Sequence, residues 1–380
     1  MTEPILFHAD VLNAFKHIVF GESVRFEDLQ GEIAIKKEPY WLATIDKKQY
    51  LIPPEFIKDL PFKIEETKRR IYRNKVYHEV VAYKTLRFKA EKKFSLAELV
   101  DEHYNPFEHT NIADYINAKI LTMTAYLRRV NLRIAATAEF GKDSLVNYFH
   151  HLMGDAVSIS PKSLPAIEYR LLNKLIALNE LGRLDSSSLH EIEHFLLDAG
   201  AFANVYEKPT RASSSFKTRD RYDISNLSLI LFSNLPEEYS KEKDFFDNAI
   251  TNKAILTRYL PFRFEGKLKS EQFSKAIPNA YEIAESHLDY FLDICHTIRY
   301  YQENIDEVKD EAILPIEISH KFEDKPRQLR IWNEIALVVY EYAERNEEVA
   351  RATLMDIYEN YKAYYKSEPK NGIITQFIEV

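Results

Sequence analysis

Between Leu132 and Phe232, short apolar runs of strand length alternate with amphipathic runs of helix length. Periodicity gives strand Leu132–Ala138, helix Leu145–Met153, strand Ala156–Ser160 and helix Leu164–Leu172. A buried strand Leu175–Leu178, helix Leu189–Ala199 and strand Leu227–Phe232 follow. Strands joined through helices return to the same edge of a sheet, so they pair in parallel. The expected fold class is α/β with a parallel sheet.

The flanks read differently. In the first third, Glu32–Lys36, Tyr40–Ile45 and Gln49–Ile52 are short β-compatible runs between turn signals. Val76–Lys89 continues them, with Leu86 and Phe88 alternating with Arg87 and Lys89. A loop-like segment, Asp101–Thr110, carries His103, Asn105, Pro106 and His109 and precedes a helix over Ile112–Leu127. From about Lys267 the pattern is helical and ends in Gln328–Tyr365. Three domains are expected: residues 1–110, mixed and strand-rich; 111–266, the α/β core; and 267–380, helical.

At ~150 residues per domain, 380 residues suit that division. Hydrophobic residues at 46% and charged residues at 29% exclude wholesale disorder. No run nears the roughly 18 apolar residues of a membrane span, and Met1–Phe15 has no basic flank ahead of an apolar stretch. No membrane partner is expected. The lone Cys295 excludes an internal disulfide or a cysteine-based zinc module and suits a cytoplasmic location. The net charge of −8 conceals a block, Lys63–Lys93, at +7, which leaves −15 elsewhere. That block is either a contact zone for phosphates or a solvated surface. Tyr72, Tyr77 and Tyr83 among Arg73, Lys75 and Lys84 could stack bases or pack a small sheet.

Strand Leu132–Ala138 runs into Glu139-Phe140-Gly141-Lys142-Asp143-Ser144 and then a helix. This context suits an anion, because turn N–H groups and the helix N-terminus face it and Lys142 can reach β- and γ-phosphates. Against the G-x-x-x-x-G-K-[ST] pattern, Ala136 stands at the first glycine and Asp143 at the hydroxyl residue that normally holds Mg2+. A carboxylate is itself a Mg2+ ligand, and Ser144 is adjacent. The bland alternative is a plain helix N-terminus with a surface lysine. Downstream, an apolar strand ends in Asn179-Glu180, and another ends in Ser233-Asn234. Arg258 lies in Ala254–Phe264, and Pro326-Arg327-Gln328-Leu329-Arg330 opens a long helix.

In this order the segments resemble the AAA+ ATPases, and within them the minichromosome-maintenance (MCM) replicative helicases. The family has a helix with Ile-His-Glu, a sensor strand ending in Asn, a Leu-Ser-Arg-Phe finger and an Arg-Gln-Leu sensor helix. This chain has Leu189-His190-Glu191, Ser233-Asn234, Leu256-Thr257-Arg258-Tyr259 and Arg327-Gln328-Leu329, over roughly Leu132 to Asn346. The resemblance implies an AAA+ P-loop core, a mixed α+β N-terminal domain and a helical C-terminal lid, with ATP and Mg2+ as cofactors. It implies phosphate binding by Glu139, Phe140, Gly141, Lys142, Asp143 and Ser144, and metal contacts from Asp143, Ser144 and Asn179. Glu180 would activate water, and Asn234 and Arg327 would sense the γ-phosphate. The strand ending at Asn179 would lie beside the loop strand. Arg258 would be a finger delivered to a neighbouring subunit, which calls for a homo-oligomer, a hexameric ring.

A pore hairpin in such motors grips DNA, and Asn204–Asp223 offers Lys208, Arg211, Lys217, Arg219 and Arg221. The plain alternative is a solvated loop around Ser213-Ser214-Ser215. The implied activity is an ATP-dependent DNA helicase in replication of a phage, plasmid or other mobile element, with other replication proteins as further partners. The departures at Asp143 and Asn179 and the missing zinc-binding N-terminal elements bear on turnover. They leave a weakly hydrolysing loader or scaffold subunit as the alternative. A separate motif, His190-Glu191-Ile192-Glu193-His194, matches the H-E-x-x-H helix of zinc metalloproteases. Glu193 between the histidines and the lack of a downstream third ligand weigh against it.

Overall fold

The computed structural model describes residues 5–6, 25–28, 41–45, 48–52, 62–72, 75–84, 90–153, 155–160, 167, 171, 173–179, 186–207, 221–235, 253–269, 280–305 and 313–366. The chain divides into two compact units. One comprises Met1–Lys89, Phe149–Asp155 and Pro278–Cys295; the other comprises Ala90–Tyr148, Ala156–Ile277 and His296–Val380. Residues 90–110 and the last helices therefore fall in the same unit as the α/β core. No helix among the described residues is long and apolar enough to cross a membrane.

The first unit holds β1 (Ile5–Leu6), β2 (Arg25–Asp28), β3 (Trp41–Ile45), β4 (Lys48–Ile52), β5 (Phe62–Tyr72) and β6 (Lys75–Lys84). They form one sheet in the order β1-β4-β3-β2-β6-β5, parallel only at β1–β4. Much of the basic, tyrosine-rich block is the β5–β6 pair, with Tyr72 opposite Lys75 and Arg70 opposite Tyr77. Glu32–Lys36 and Leu86–Lys89 lie outside the described residues.

The second unit holds β7 (Asn131–Ala136), β8 (Ala156–Ile159), β9 (Leu175–Asn179), the hairpin strands β10 (Val205–Glu207) and β11 (Arg221–Asp223), β12 (Ser228–Asn234) and β13 (Leu260–Phe264). Five of these make a parallel sheet in the order β13-β7-β12-β9-β8. Helices α1 (Ile112–Leu127), α2 (Lys142–Met153), α3 (Ser186–Gly200), α4 (Lys253–Leu256), α5 (Ala280–Asn304), α6 (Ile316–Lys321), α7 (Pro326–Tyr342) and α8 (Glu347–Lys366) are described as well, with short helical turns at Leu96–Glu98 and Leu99–His103; α2 and α5 are each divided between the two units. Asn111 caps α1 by accepting the Asp114 N–H.

The α/β character is as expected, with every residue of β7 buried. From α3, Ile192, Phe195, Leu196 and Ala199 recur at helical spacing and pack with Ile176 and Leu178 of β9 and Leu229 and Leu231 of β12. At the other edge, aromatic rings join the last helices to β13: Phe262 meets Trp332 at 5.8 Å and Tyr361 at 6.4 Å.

Three expectations need correction, and one strand was not expected at all. The strand ending at Asn179 is not beside the loop strand, because β12 pairs in parallel with both and separates them. Helix α2 starts at Lys142, three residues early, because the Gly141 carbonyl already accepts the Leu145 N–H. The segment around Pro261 and Arg263 is a strand, β13; as an edge strand it tolerates proline, which cannot donate to a ladder. The terminal helix expected over Gln328–Tyr365 is two helices, broken where Glu344 and Arg345 take φ of 50° and 65°.

Candidate phosphate-binding site

Strand order alone locates a crevice. The chain leaves β7 for β8 on one side of the sheet order and leaves β12 for β13 on the other. With right-handed crossovers these connections depart on opposite faces, so the carboxyl ends of adjacent β7 and β12 open a gap where ligands of such sheets bind. Both ends carry polar chemistry there.

After Ala136 the chain turns sharply, with Glu139 at φ 64° and Gly141 at φ 90°. The turn is tied on both sides. Phe140 N–H donates to the Thr137 carbonyl, and Leu268 N–H donates to the Glu139 carbonyl at 3.0 Å. Phe140 is fully buried, its ring 4.7 Å from His109 and 5.7 Å from Phe264. Its side chain therefore anchors the loop, and only its backbone is placed to meet a ligand. Gly141 then acts as the cap of α2, its carbonyl accepting the first bond of the helix from the Leu145 N–H, and the helix N-terminus carries partial positive charge.

Lys142 Nζ donates to the Ala136 carbonyl at 3.2 Å and to Asn234 Oδ1. Register explains the second contact, because Asn234 is the β12 partner of Ala136. Ser144 turns inward: its hydroxyl donates to the Gly141 carbonyl at 2.7 Å and accepts from Asn105 Nδ2 at 3.3 Å. Asp143 is exposed and reaches across the strand ends, where its Oδ1 accepts from Asn179 Nδ2 and from Ser158 Oγ, each at 2.5 Å. Asn179 Nδ2 also donates to Ser158 Oγ at 2.9 Å. An ionised carboxylate only accepts, so Asp143 dictates that Asn179 presents its amide nitrogen.

Beside the loop, Asn105 is buried and also donates to the Tyr115 hydroxyl at 2.7 Å, while His109 stacks on the Tyr115 ring at 4.6 Å. Burial holds the His109 imidazole below its usual basicity, against the opposing bond to Asn111 and the charge of Asp114. Asn105 Oδ1 and His109 Nε2 are buried without a hydrogen-bond partner among the described residues.

The other expected residues divide into two groups. Arg258 precedes β13 at the amino ends of the strands, and the five residues of β13 put about 16 Å between it and the carboxyl ends where the loop lies. Its Nη1 donates to the Leu197 carbonyl near the C-terminal end of α3, a position that favours a cation. Burial, and then Arg327 nearby, lower its basicity. Arg327 thus stands with Arg258 rather than with Asn234. Glu180, Lys208, Arg211, Lys217 and Arg219 lie outside the described residues, as does the Arg221 side chain. The stem of the expected hairpin is present, with β10 and β11 antiparallel and Tyr206 paired with Tyr222.

His194 is exposed on α3, and the side chains of His190 and Glu191 are outside the described residues. Among the described residues no three His, Cys, Asp or Glu side chains are grouped to hold a metal ion. Sequence reading missed Ser158, a hydroxyl inside the otherwise apolar strand β8, and the site role of Asn105 and His109. Their only signal was a cluster of polar residues ahead of α1.

No protein-family model matches the sequence, and comparison with curated proteins finds no significant relative.

Proposed function

We propose that the chain is an AAA+ type, ATP-driven DNA motor subunit resembling the MCM helicases. The reading rests chiefly on one observation: Lys142, at the start of a helix after β7, meets Asn234 on neighbouring β12 at the crevice edge. The residues present fit a triphosphate with a divalent cation. Lys142 and the first-turn N–H groups of α2 are the anion donors, and the Asp143 carboxylate is a hard oxygen ligand of the kind Mg2+ takes. A bound Mg2+ would neutralise charge developing on the transferred phosphoryl group. Asn234 would hold a γ-phosphate oxygen, and Glu180, next after Asn179, would orient the attacking water. Arg258 and Arg327, far from their own loop, would serve an adjacent subunit in a hexameric ring. The hairpin of β10 and β11, with its lysines and arginines, would contact DNA, and the last helices would form the lid. A cytoplasmic setting suits the single cysteine.

Lys142→Ala is expected to abolish DNA-stimulated ATP hydrolysis, measured with and without single-stranded DNA on material of known oligomeric mass. Unchanged turnover refutes the motor. A second reading, a loader or scaffold subunit, is favoured by Asn179 at the strand end, where the family has a carboxylate. ATP binding without hydrolysis by the pure oligomer distinguishes it.

A further inference from the structure

Two departures from the motor pattern meet at one hydrogen bond. Asp143 stands where a hydroxyl is expected and Asn179 where a carboxylate is expected, and the two side chains touch at 2.5 Å. Either change alone would damage the site. A carboxylate at residue 143 facing one at residue 179 would place two negative charges in contact, so one would have to take up a proton or withdraw. Asparagine at 179 facing a hydroxyl would leave neither position with an acidic oxygen for the cation. Together they keep one carboxylate and one neutral partner, with donor and acceptor reversed.

We propose that Asp143 and Asn179 have exchanged chemistry: the helix supplies the carboxylate that touches the divalent cation, and the strand supplies the neutral group that aims it. The proposal rests on the triphosphate reading above and assigns the metal ligand within it. Three observations favour Asp143 over Ser144 or Asn179. Ser144 is turned back onto the Gly141 carbonyl. Asn179 spends its amide nitrogen on Asp143 and Ser158. Asp143 is exposed, and both donors converge on its Oδ1, while no described residue donates to its Oδ2. The pair of donors fixes the carboxylate plane, as hydrogen-bonded neighbours of metal ligands do. Asn179 and Ser158 are positioning residues and Asp143 is the ligand.

The test reads binding rather than turnover. Fluorescent methylanthraniloyl-ATP is titrated into the full chain at increasing Mg2+, and Mn2+ occupancy is followed by electron paramagnetic resonance. Asp143→Asn, close in shape, should lose the gain in affinity that Mg2+ confers. Asp143→Ser and Asn179→Asp should each weaken Mg2+ dependence by about tenfold or more. The double variant Asp143→Ser with Asn179→Asp should regain it. A double variant no better than its worse parent overturns the exchange, as does a Mg2+ response untouched in Asp143→Asn. Failure of the unaltered chain to bind nucleotide with or without metal removes the parent reading and this inference together.

Discussion

At the scale of single residues, Gly141 decides whether the loop can exist. Its φ of 90° is a conformation that side chains with a Cβ rarely take. A Cβ there would also lie 2.8 Å from Leu268 Cδ1 and 3.0 Å from Ser144 Oγ. The Leu268 methyl is the end of a flexible side chain and can move; the backbone cannot. Gly141→Ala is therefore expected to cost about 1–3 kcal/mol in urea unfolding, and measured in a Leu268→Ala background that cost should shrink only by the smaller, steric part. Its disappearance in that background would show that crowding, not backbone strain, sets the cost. In a chain with 8 glycines, a glycine ahead of Lys142 was a legible signal. Ser158 and Asn105 were not, because they enter the site from segments distant in sequence, and nothing local marks which polar residue will face a loop.

Among elements, the break between α7 and α8 shows what a glycine-poor sequence hides. The Arg345 N–H donates to the Tyr340 carbonyl and the Glu344 N–H to the Glu341 carbonyl, the paired bonds of a Schellman ending. The residue at its left-handed position is usually glycine; here it is Glu344, at φ 50°. No punctuation marks the end, so the two helices read as one. Glu344→Gly should relieve the left-handed cost and stabilise the chain by ~0.5–1 kcal/mol, after allowing for the greater freedom of the unfolded glycine. A thermal or urea midpoint that falls would contradict the assignment. Strand β13 was obscured for a different reason. Proline and arginine within five residues break the apolar pattern, which an edge position permits. The strands themselves were legible because burial on both faces demands apolar runs. Their order was not, since the placing of β12 between β7 and β9 is a long-range choice that no local window records.

For the whole molecule, the separation of Arg258 from Lys142 by the length of a strand makes a composite site testable. If each site borrows its arginine, Arg258→Ala should lower hydrolysis by about a thousandfold. Mixing it with inactive Lys142→Ala should restore part of the turnover, because some junctions then pair an intact loop with an intact finger. Activity of the mixture, read beside its mass distribution, decides the matter; no recovery in mixed rings argues against sharing. The Leu197 contact adds a consequence. In a solitary chain one guanidinium nitrogen is already held by a carbonyl of its own helix, so joining a neighbour trades that partner for another. On the proposed reading, that exchange favours a loaded neighbour over an empty one, and ring closure and nucleotide occupancy would rise together.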